Sequence, residues 1–438
     1  MWRNWAGDQQ CVPAAVAYPV SVEELRAAIE HARSAGRRIR VAASGHSFTD
    51  IACTDGQMLR MEGMNRVLDI DQASGLVKVE AGIGLRDLSE KLYDNGLALE
   101  NMGDIDVQTL AGAISTGTHG TGARLRNISA QVEAMELMLA DGNVIECSND
   151  SDPDTLRAAR VGLGALGVIV TVTLRCVPRF TIDRLDHPSP LGETLERLDE
   201  LADSNDHFEF YTLPHSEVAL LRESKRGDWP PNPHSRAREY LQEIVLENHF
   251  FELTARIGRR FPSVIPRLNR IASRLIGSSR KVDRSYAVYG SKRLVRFTEM
   301  EYGIPREGGA EAVRRVLDVI DRRGFAVGFP LEVRFVAADD AYLSPSNGRD
   351  TCYIAVHMYN GMEWYPYFQA VESIMHDYGG RPHWGKRHFQ SAATLAPLYP
   401  EWDGFQGVRA RLDPDGVFAN EYTDRVLGGV SVREPAPS

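Results

Sequence analysis

Two segments of this chain are built almost without side-chain bulk, and both follow runs that read as strands. Ser44-Gly45-His46-Ser47-Phe48 succeeds the run from Arg38 to Ala43. Gly103–Thr109 leads into Ala111–Gly122, whose last eight residues are all Gly, Ser or Thr except His119. Small residues let backbone N–H groups close on a ligand, as a diphosphate demands. Hydroxyls add donors at little cost in volume. One such loop is an ordinary turn, but two of them behind strands point to a diphosphate-linked ring system held by backbone. His46 stands where a nucleophilic nitrogen meets that ring. Its plainer reading is a histidine hydrogen-bonded within a turn.

At 438 residues the chain is too long for a single ordinary core, so two domains are expected. A formal net charge of −10 argues against nucleic-acid binding. No run of about 18 apolar residues appears, so no membrane-spanning helix is expected. Met1-Trp-Arg-Asn-Trp-Ala-Gly7 lacks an apolar leader core. The five cysteines are odd in number and scattered, which suits reduced thiols and a cytoplasmic protein better than disulfides or a metal site.

Ser21-Val-Glu-Glu24 is a capping-box pattern, and Val22, Leu25, Ala28, Ile29 and Ala32 recur at helical spacing until Gly36. Hairpins are expected at 67–80 and around Asp141-Gly142, and a helix from Leu85 to Leu92. Gly162-Leu-Gly164-Ala-Leu-Gly167 matches the dinucleotide fingerprint. Its context is reversed, with a helical pattern before it and the β-branched run Val168–Thr173 after it. A structural turn near the ligand is therefore the better reading. The texture changes after Val177-Pro178. The expected organisation is an α+β ligand-binding domain over 1–178 and a cap over 179–400. Residues 401–438 return to the first domain and end in a disordered tail from Arg433.

Phe329-Pro-Leu331-Glu332-Val333-Arg334-Phe335 alternates, so Glu332 and Arg334 share one strand face and Leu331, Val333 and Phe335 the other. The two charges form an exposed pair, a structural salt bridge or a polar wall for a hydroxylated substrate. Arg381-Pro-His383-Trp384-Gly385-Lys386-Arg387-His388 reads as a shaped loop whose lysine suits stabilisation of negative charge. Its two histidines lack an adjacent Cys, Asp or Glu, a poor metal set, and no metal is expected. Residues 250–296 hold twelve Lys/Arg against two acids, a net of +10, while the rest of the chain sums to −20. That stretch is a helix with a solvated basic face, or a docking face for an acidic electron-transfer protein or an anionic membrane surface.

The Ser44–Phe48 loop resembles the flavin loop of the vanillyl-alcohol-oxidase superfamily. Several further segments together resemble the aldonolactone oxidoreductases, the L-gulono-1,4-lactone oxidase/dehydrogenase group. These are Cys53-Thr-Asp-Gly56, Met64-Asn-Arg66, Val79-Glu-Ala-Gly82, Gly117-Thr-His119-Gly120-Thr-Gly122, Pro382-His-Trp384-Gly-Lys386, and Leu412-Asp-Pro414 through Asn420 and Tyr422. The resemblance implies a two-domain FAD fold with a cap over the flavin, and a covalent bond from His46 to FAD. It implies FAD contacts from Ala43, Ser44, Gly45, His46, Ser47, Phe48, Gly103, Thr109, Gly112, Ser115, Gly117, Thr118, His119 and Gly120. Further contacts are implied at Gly167, Val168, Ile169, Lys386 and Asn420. His119 reads equally as a structural histidine. Similarity to alditol oxidases gives Glu332, Arg334 and Lys386 the substrate-binding and catalytic roles. The implied substrate is a sugar lactone, with a polyol as the alternative, and the implied electron acceptor is O2 or a cytochrome.

Overall fold

The structure, a computed structural model, describes residues 1–232, 251–290 and 294–430. The tail expected to be disordered, and residues 250 and 291–293 of the basic stretch, lie outside the described residues.

Residues up to 178 build two larger sheets and two two-stranded ribbons, Trp2–Arg3 with Gln10–Cys11 and Leu97–Ala98 with Val177–Pro178. Ala15–Ala17, Gln57–Leu59 and Ile39–Val41 pair in parallel. The helix Val22–Ser34 begins at Ser21, whose hydroxyl accepts from the Glu24 N–H. The Glu24 carboxylate accepts from the Val20 N–H, one residue before the cap. Five antiparallel strands follow in the spatial order Val144–Ser148, Val132–Met138, Val168–Arg175, Leu76–Glu80, Val67–Asp71. Both expected hairpins are there, and the expected helix runs Leu85–Asp94. Val77, Val79, Leu88, Ile114, Leu137 and Val172 form the centre of this core.

Beyond residue 180 an eight-stranded sheet dominates. Its order is Ser279–Arg284, Thr181–Pro190, Val218–Gly227, His207–Thr212, Leu331–Val336, Thr351–Tyr359, Phe297–Pro305, Arg381–Pro382. One face carries Phe208, Phe210, Met300, Ile304, Leu331, Val333, Phe335, Ile354 and Val356. These pack with Ala312, Val313 and Val316 of the helix Gly309–Arg323 and Phe368 and Val371 of Tyr365–His376. The alternate residues on the same strands point the other way, toward loops 103–122 and 383–388.

The chain then comes back. Leu395, Tyr399, Phe405, Leu412, Tyr422 and Val426 join the first core, as do Tyr342, Leu343 and Trp384 from further upstream. The Ile39 N–H donates to the Val417 carbonyl at 2.7 Å, tying the returning segment beside the first parallel sheet.

Candidate active site

A cleft of about 950 Å³, open mouth included, lies against the first core. Ala43, Ser44, Gly45, His46 and Ser47 form one lip, and Thr109, Gly112 and Ser115 line it from the second loop. The two loops are fastened together, because the Thr109 N–H donates to Ser44 Oγ at 3.1 Å. Ala43 Cβ lies 3.0 Å from where a side chain on Gly112 would begin. The misleading glycine fingerprint is a turn between the helix Pro153–Ala159 and the strand Val168–Arg175, and Leu163, Gly164, Gly167, Val168 and Ile169 line the cleft. No Lys or Arg is among the lining residues. An anion there is held by backbone N–H groups and hydroxyls, so a thin, diphosphate-linked ligand fits this cradle.

His46 is half-buried in the lip. Its ring stacks on Trp5 with centroids 5.4 Å apart. Phe48 turns away from the cleft into a cluster with Ala6, Phe297, Phe329 and Tyr359. Gly103, Gly117, Thr118 and Gly120, expected as flavin contacts, are not among the lining residues. Gly120 is needed, since a Cβ would fall 2.1 Å from the Met102 carbonyl oxygen. Asn420 is not a cleft residue. It caps the helix Glu421–Leu427, and its amide donates to the carbonyls of Asp50, Ile51 and Cys53. Its hydrogen-bonding groups are spent on the chain itself, so it clasps the end of the first loop from behind.

The polar face of the large sheet forms a wall beside this cleft. Glu332 and Arg334 are both buried, which removes the exposed-pair reading. They contact each other, and Arg334 also donates from Nε to Glu209 Oε2 at 3.0 Å and approaches Asp104 at 3.1 Å. Arg222 Nη1 donates to Glu209 at 2.7 Å. The Tyr211 hydroxyl lies 2.9 Å from Glu209 and 3.2 Å from Glu332. Register explains the grouping: Glu209 pairs across the strands with Arg334, and Tyr211 with Glu332.

Lys386 stands at the other end of the wall. Its ammonium contacts Glu299, which faces His357 at 3.5 Å, and lies 5.2 Å from the centre of the Phe48 ring. The lysine loop and the first loop meet directly, with the Phe48 N–H donating to the Gly385 carbonyl at 2.7 Å. The pocket-side loop and the cation are thereby fixed relative to each other.

Burial alone raises carboxyl pKa values, but here the cations win. Burial works against ionised Glu209, yet Arg334 and Arg222 hold it down to about 2. Burial likewise opposes ionised Glu301, and its contact with His119 holds it down to about 2. Glu299 is held well below the usual range against its burial by Lys386 and His357. Burial disfavours charged Arg334, and Glu332 and Glu209 more than restore it.

His119 does not join the cleft lining. Its Nδ1 donates to the Gly120 carbonyl at 2.8 Å, its Nε2 faces Glu301 at 3.2 Å, and its ring stacks on Tyr353 at 3.7 Å. His383 completes a trio whose ligand-type atoms lie within 4.8 Å. Its Nδ1 accepts the Gly385 N–H at 3.0 Å. Burial pushes it down to about 3, so it is neutral and Nε2 holds its proton. The trio is a compact, buried group of two imidazoles and a carboxylate behind the lysine loop. His388 stands apart, with Nε2 3.1 Å from the Tyr422 hydroxyl.

Sequence reasoning found the Glu332–Arg334 strand and Lys386 but missed Asp104, Glu209, Tyr211, Arg222, Glu299, Glu301 and His357. The signal was available. Phe208-Glu209-Phe210-Tyr211 and Thr298-Glu299-Met300-Glu301 alternate acidic with apolar residues as Leu331–Phe335 does.

A family described as FAD binding domain matches residues 13–148, and one described as D-arabinono-1,4-lactone oxidase matches 172–426. L-gulono-1,4-lactone dehydrogenase of Mycobacterium tuberculosis is 54% identical over 98% of this chain and 99% of its own length. L-gulonolactone oxidase of Mus musculus is 37% identical over 97% and 98%. The crystal structure of cholesterol oxidase from B. sterolicum superimposes with a TM-score of 0.82 over 97% of this chain and 96% of that one. Its identity is 16%, so that likeness concerns the fold, the two-domain FAD fold of the vanillyl-alcohol-oxidase type. With an FAD-binding first half and a matching second half, this chain belongs to the D-arabinono-1,4-lactone oxidase family of aldonolactone oxidoreductases.

Proposed function

We propose that the chain oxidises the C2 hydroxyl of an aldono-1,4-lactone of the L-gulono type to a ketone, which tautomerises to an ascorbate-type ene-diol. FAD supplies the hydride acceptor, at N5. The observation that carries this reading is the buried charged wall that meets the cleft loop through Lys386 and Phe48. Arg334 and Lys386 stabilise the negative charge that develops as hydride leaves. Glu332, braced by Tyr211, accepts hydrogen bonds from substrate hydroxyls and so selects the carbon presented to the flavin. Along the wall the carboxylates of Asp104, Glu209, Glu299, Glu301 and Glu332 outnumber the cations of Arg222, Arg334 and Lys386. That balance favours a neutral lactone over an anionic sugar acid.

The half-buried His46 in the lip, its ring flanked by Trp5, supports a covalent flavin link through its imidazole. Fluorescence of the denatured band after acid oxidation reads it out, and a dark band would remove it. The electron acceptor is O2 or a cytochrome. Phe261, Ile271 and Leu275 are exposed on the basic stretch among its arginines, a face for an acidic acceptor or an anionic membrane surface. Charge reversal at Arg267 and Arg270 tests that face. No helix among the described residues is long and apolar enough to cross a membrane.

The deciding experiment is anaerobic titration of the yellow protein with L-gulono-1,4-lactone, D-arabinono-1,4-lactone and xylitol. Bleaching by the lactones and not by xylitol is expected. Bleaching by xylitol alone would make the chain an alditol oxidase, and no bleaching by any of them would end the catalytic reading.

A further inference from the structure

Cys11 and Cys53 are far apart in sequence, and nothing in their spacing joins them. The fold does. Ala15 pairs with Gln57 in the first parallel sheet, and Cys11 precedes Ala15 by four residues just as Cys53 precedes Gln57 by four. The register continues upstream of the strands: the Ala14 N–H donates to the Asp55 carbonyl at 2.9 Å and the Ala15 N–H to that of Gly56 at 3.3 Å. The two segments therefore run side by side as far as Ala14 and Asp55, and continuing the same register brings Cys11 and Cys53 opposite each other, close enough for each thiol to act on the other. Neighbouring strands lie about 4.8 Å apart, inside the roughly 4.4–6.8 Å between Cα atoms that a disulfide spans. Both side chains are partly exposed, whereas Cys147, Cys176 and Cys352 are buried.

The segment that ends at Cys11 covers the cleft. Trp2–Arg3 and Gln10–Cys11 form a short hairpin, with Trp2 opposite Cys11. Trp2 lines the cleft, and the Trp5 N–H donates to the Gly45 carbonyl at 2.8 Å. Asn4 Nδ2 donates to the Ser47 carbonyl at 3.0 Å. Trp5 is the ring stacked on His46. Cys53, in turn, belongs to the loop clasped by Asn420, so it is an anchored point.

We propose that Cys11 and Cys53 are a reversible disulfide-forming site for low-molecular-weight disulfides, whose oxidation pins the 2–11 hairpin over the loop that carries His46. The exchange balances with glutathione disulfide as the oxidant. The Cys11 thiolate attacks one sulfur of glutathione disulfide, breaks its S–S bond and releases one glutathione. Cys53 then gives up its proton to solvent and attacks the Cys11 sulfur. The protein S–S bond forms and the second glutathione leaves, so two protein thiols are oxidised and one disulfide is reduced to two thiols. Cys11 attacks first because burial and the neighbouring Cys11 sulfur push the Cys53 thiol up to about 12. Once Cys11 is capped, its repulsion of a Cys53 thiolate is gone.

The test incubates the full-length flavoprotein with glutathione disulfide, blocks free thiols with an alkylating agent, and reads the intact mass and the cross-linked peptide. Loss of two hydrogens with a Cys11–Cys53 peptide is expected, and it should reverse with excess reduced glutathione. Trypsin cleavage after Arg3 should slow about tenfold in the oxidised form, because a cross-link restrains local opening. Cys11→Ser and Cys53→Ser should each abolish the cross-link and the protection, with unfolding temperatures matching the reduced parent. A persistent mixed disulfide, no reaction at either thiol, or a cross-link that leaves cleavage unchanged would overturn the proposal. None of these readouts depends on which sugar the protein oxidises.

Discussion

The cleft and the wall recognise ligands by opposite means. The cleft presents backbone and small side chains, with no Lys or Arg among its lining. The wall presents charged side chains on the alternate positions of adjacent strands, each one held by its neighbours. A backbone cradle is sensitive to volume and indifferent to charge. A wall of paired ions tolerates changes of volume and fails when one partner is removed, because the survivor stays buried and uncompensated.

The sharpest way to break this contrast is to add one carbon to the cradle. A Cβ on Gly82 would lie 1.9 Å from the Met61 carbonyl oxygen, which is backbone and has nowhere to go. Gly82→Ala should cost more than about 3 kcal/mol and yield little soluble yellow protein. Expression yield and visible absorbance check it.

On the wall, Arg334→Ala leaves Glu209, Glu332 and Asp104 facing a hole. Destabilisation of about 3–5 kcal/mol is expected, read by urea unfolding, and a larger apolar replacement such as Arg334→Met should cost less. Lys386→Ala differs in kind. Lys386 is at the partly exposed end of the wall, so the protein should keep its flavin while lactone turnover falls about 10²–10³-fold. Stopped-flow bleaching under nitrogen measures this, and unchanged turnover would remove the lysine from the reaction.

How much of this contrast the sequence disclosed differs between the two regions. The cradle was legible because glycine and hydroxyl runs are local, and Ser44–Ser47, Thr109, Gly112 and Ser115 line the cleft as their composition suggested. The wall was legible only at Leu331–Phe335, where two charges of opposite sign on one strand face demanded partners. Those partners lie more than a hundred residues away: Glu209 is set by strand register, which one strand does not reveal, and Asp104 comes from the second cleft loop. His119 belongs to a run read as a loop, and Asn420 to the segment expected to return to the first domain. Their side chains nonetheless bind the chain rather than the cleft, because buried polar atoms take the nearest backbone partner. The Cys11–Cys53 neighbourhood was invisible for a further reason: parallel pairing joins segments whose spacing carries no mark.

Acid should erode the wall before the cradle. Glu209 and Glu301 ionise near 2 in the fold against 4.5 for the free group. The stabilisation they give is therefore complete above about 4.5 and lost as pH falls toward 2. His207, His383 and His388 stay neutral down to about 3 against 6.5 when free. The unfolded chain takes up those protons first, so stability also declines as pH falls from 6.5 toward 3. Thermal midpoints recorded from pH 7 to pH 3 should fall throughout, and a flat profile would contradict the assigned ion pairs. The smallest effect is expected at Tyr211→Phe, which removes one hydroxyl between Glu209 and Glu332 and should cost about 1 kcal/mol, with KM for the lactone rising more than kcat falls.

The Asn420 clasp has a bearing on biosynthesis. The loop at 50–53 is held by an amide 370 residues further along the chain. A nascent polypeptide leaving the ribosome at about 5–20 residues per second exposes the first loop well before its clasp has been translated. Flavin loading in the cell is therefore expected to be a late event, and products truncated before Asn420 are expected to be colourless.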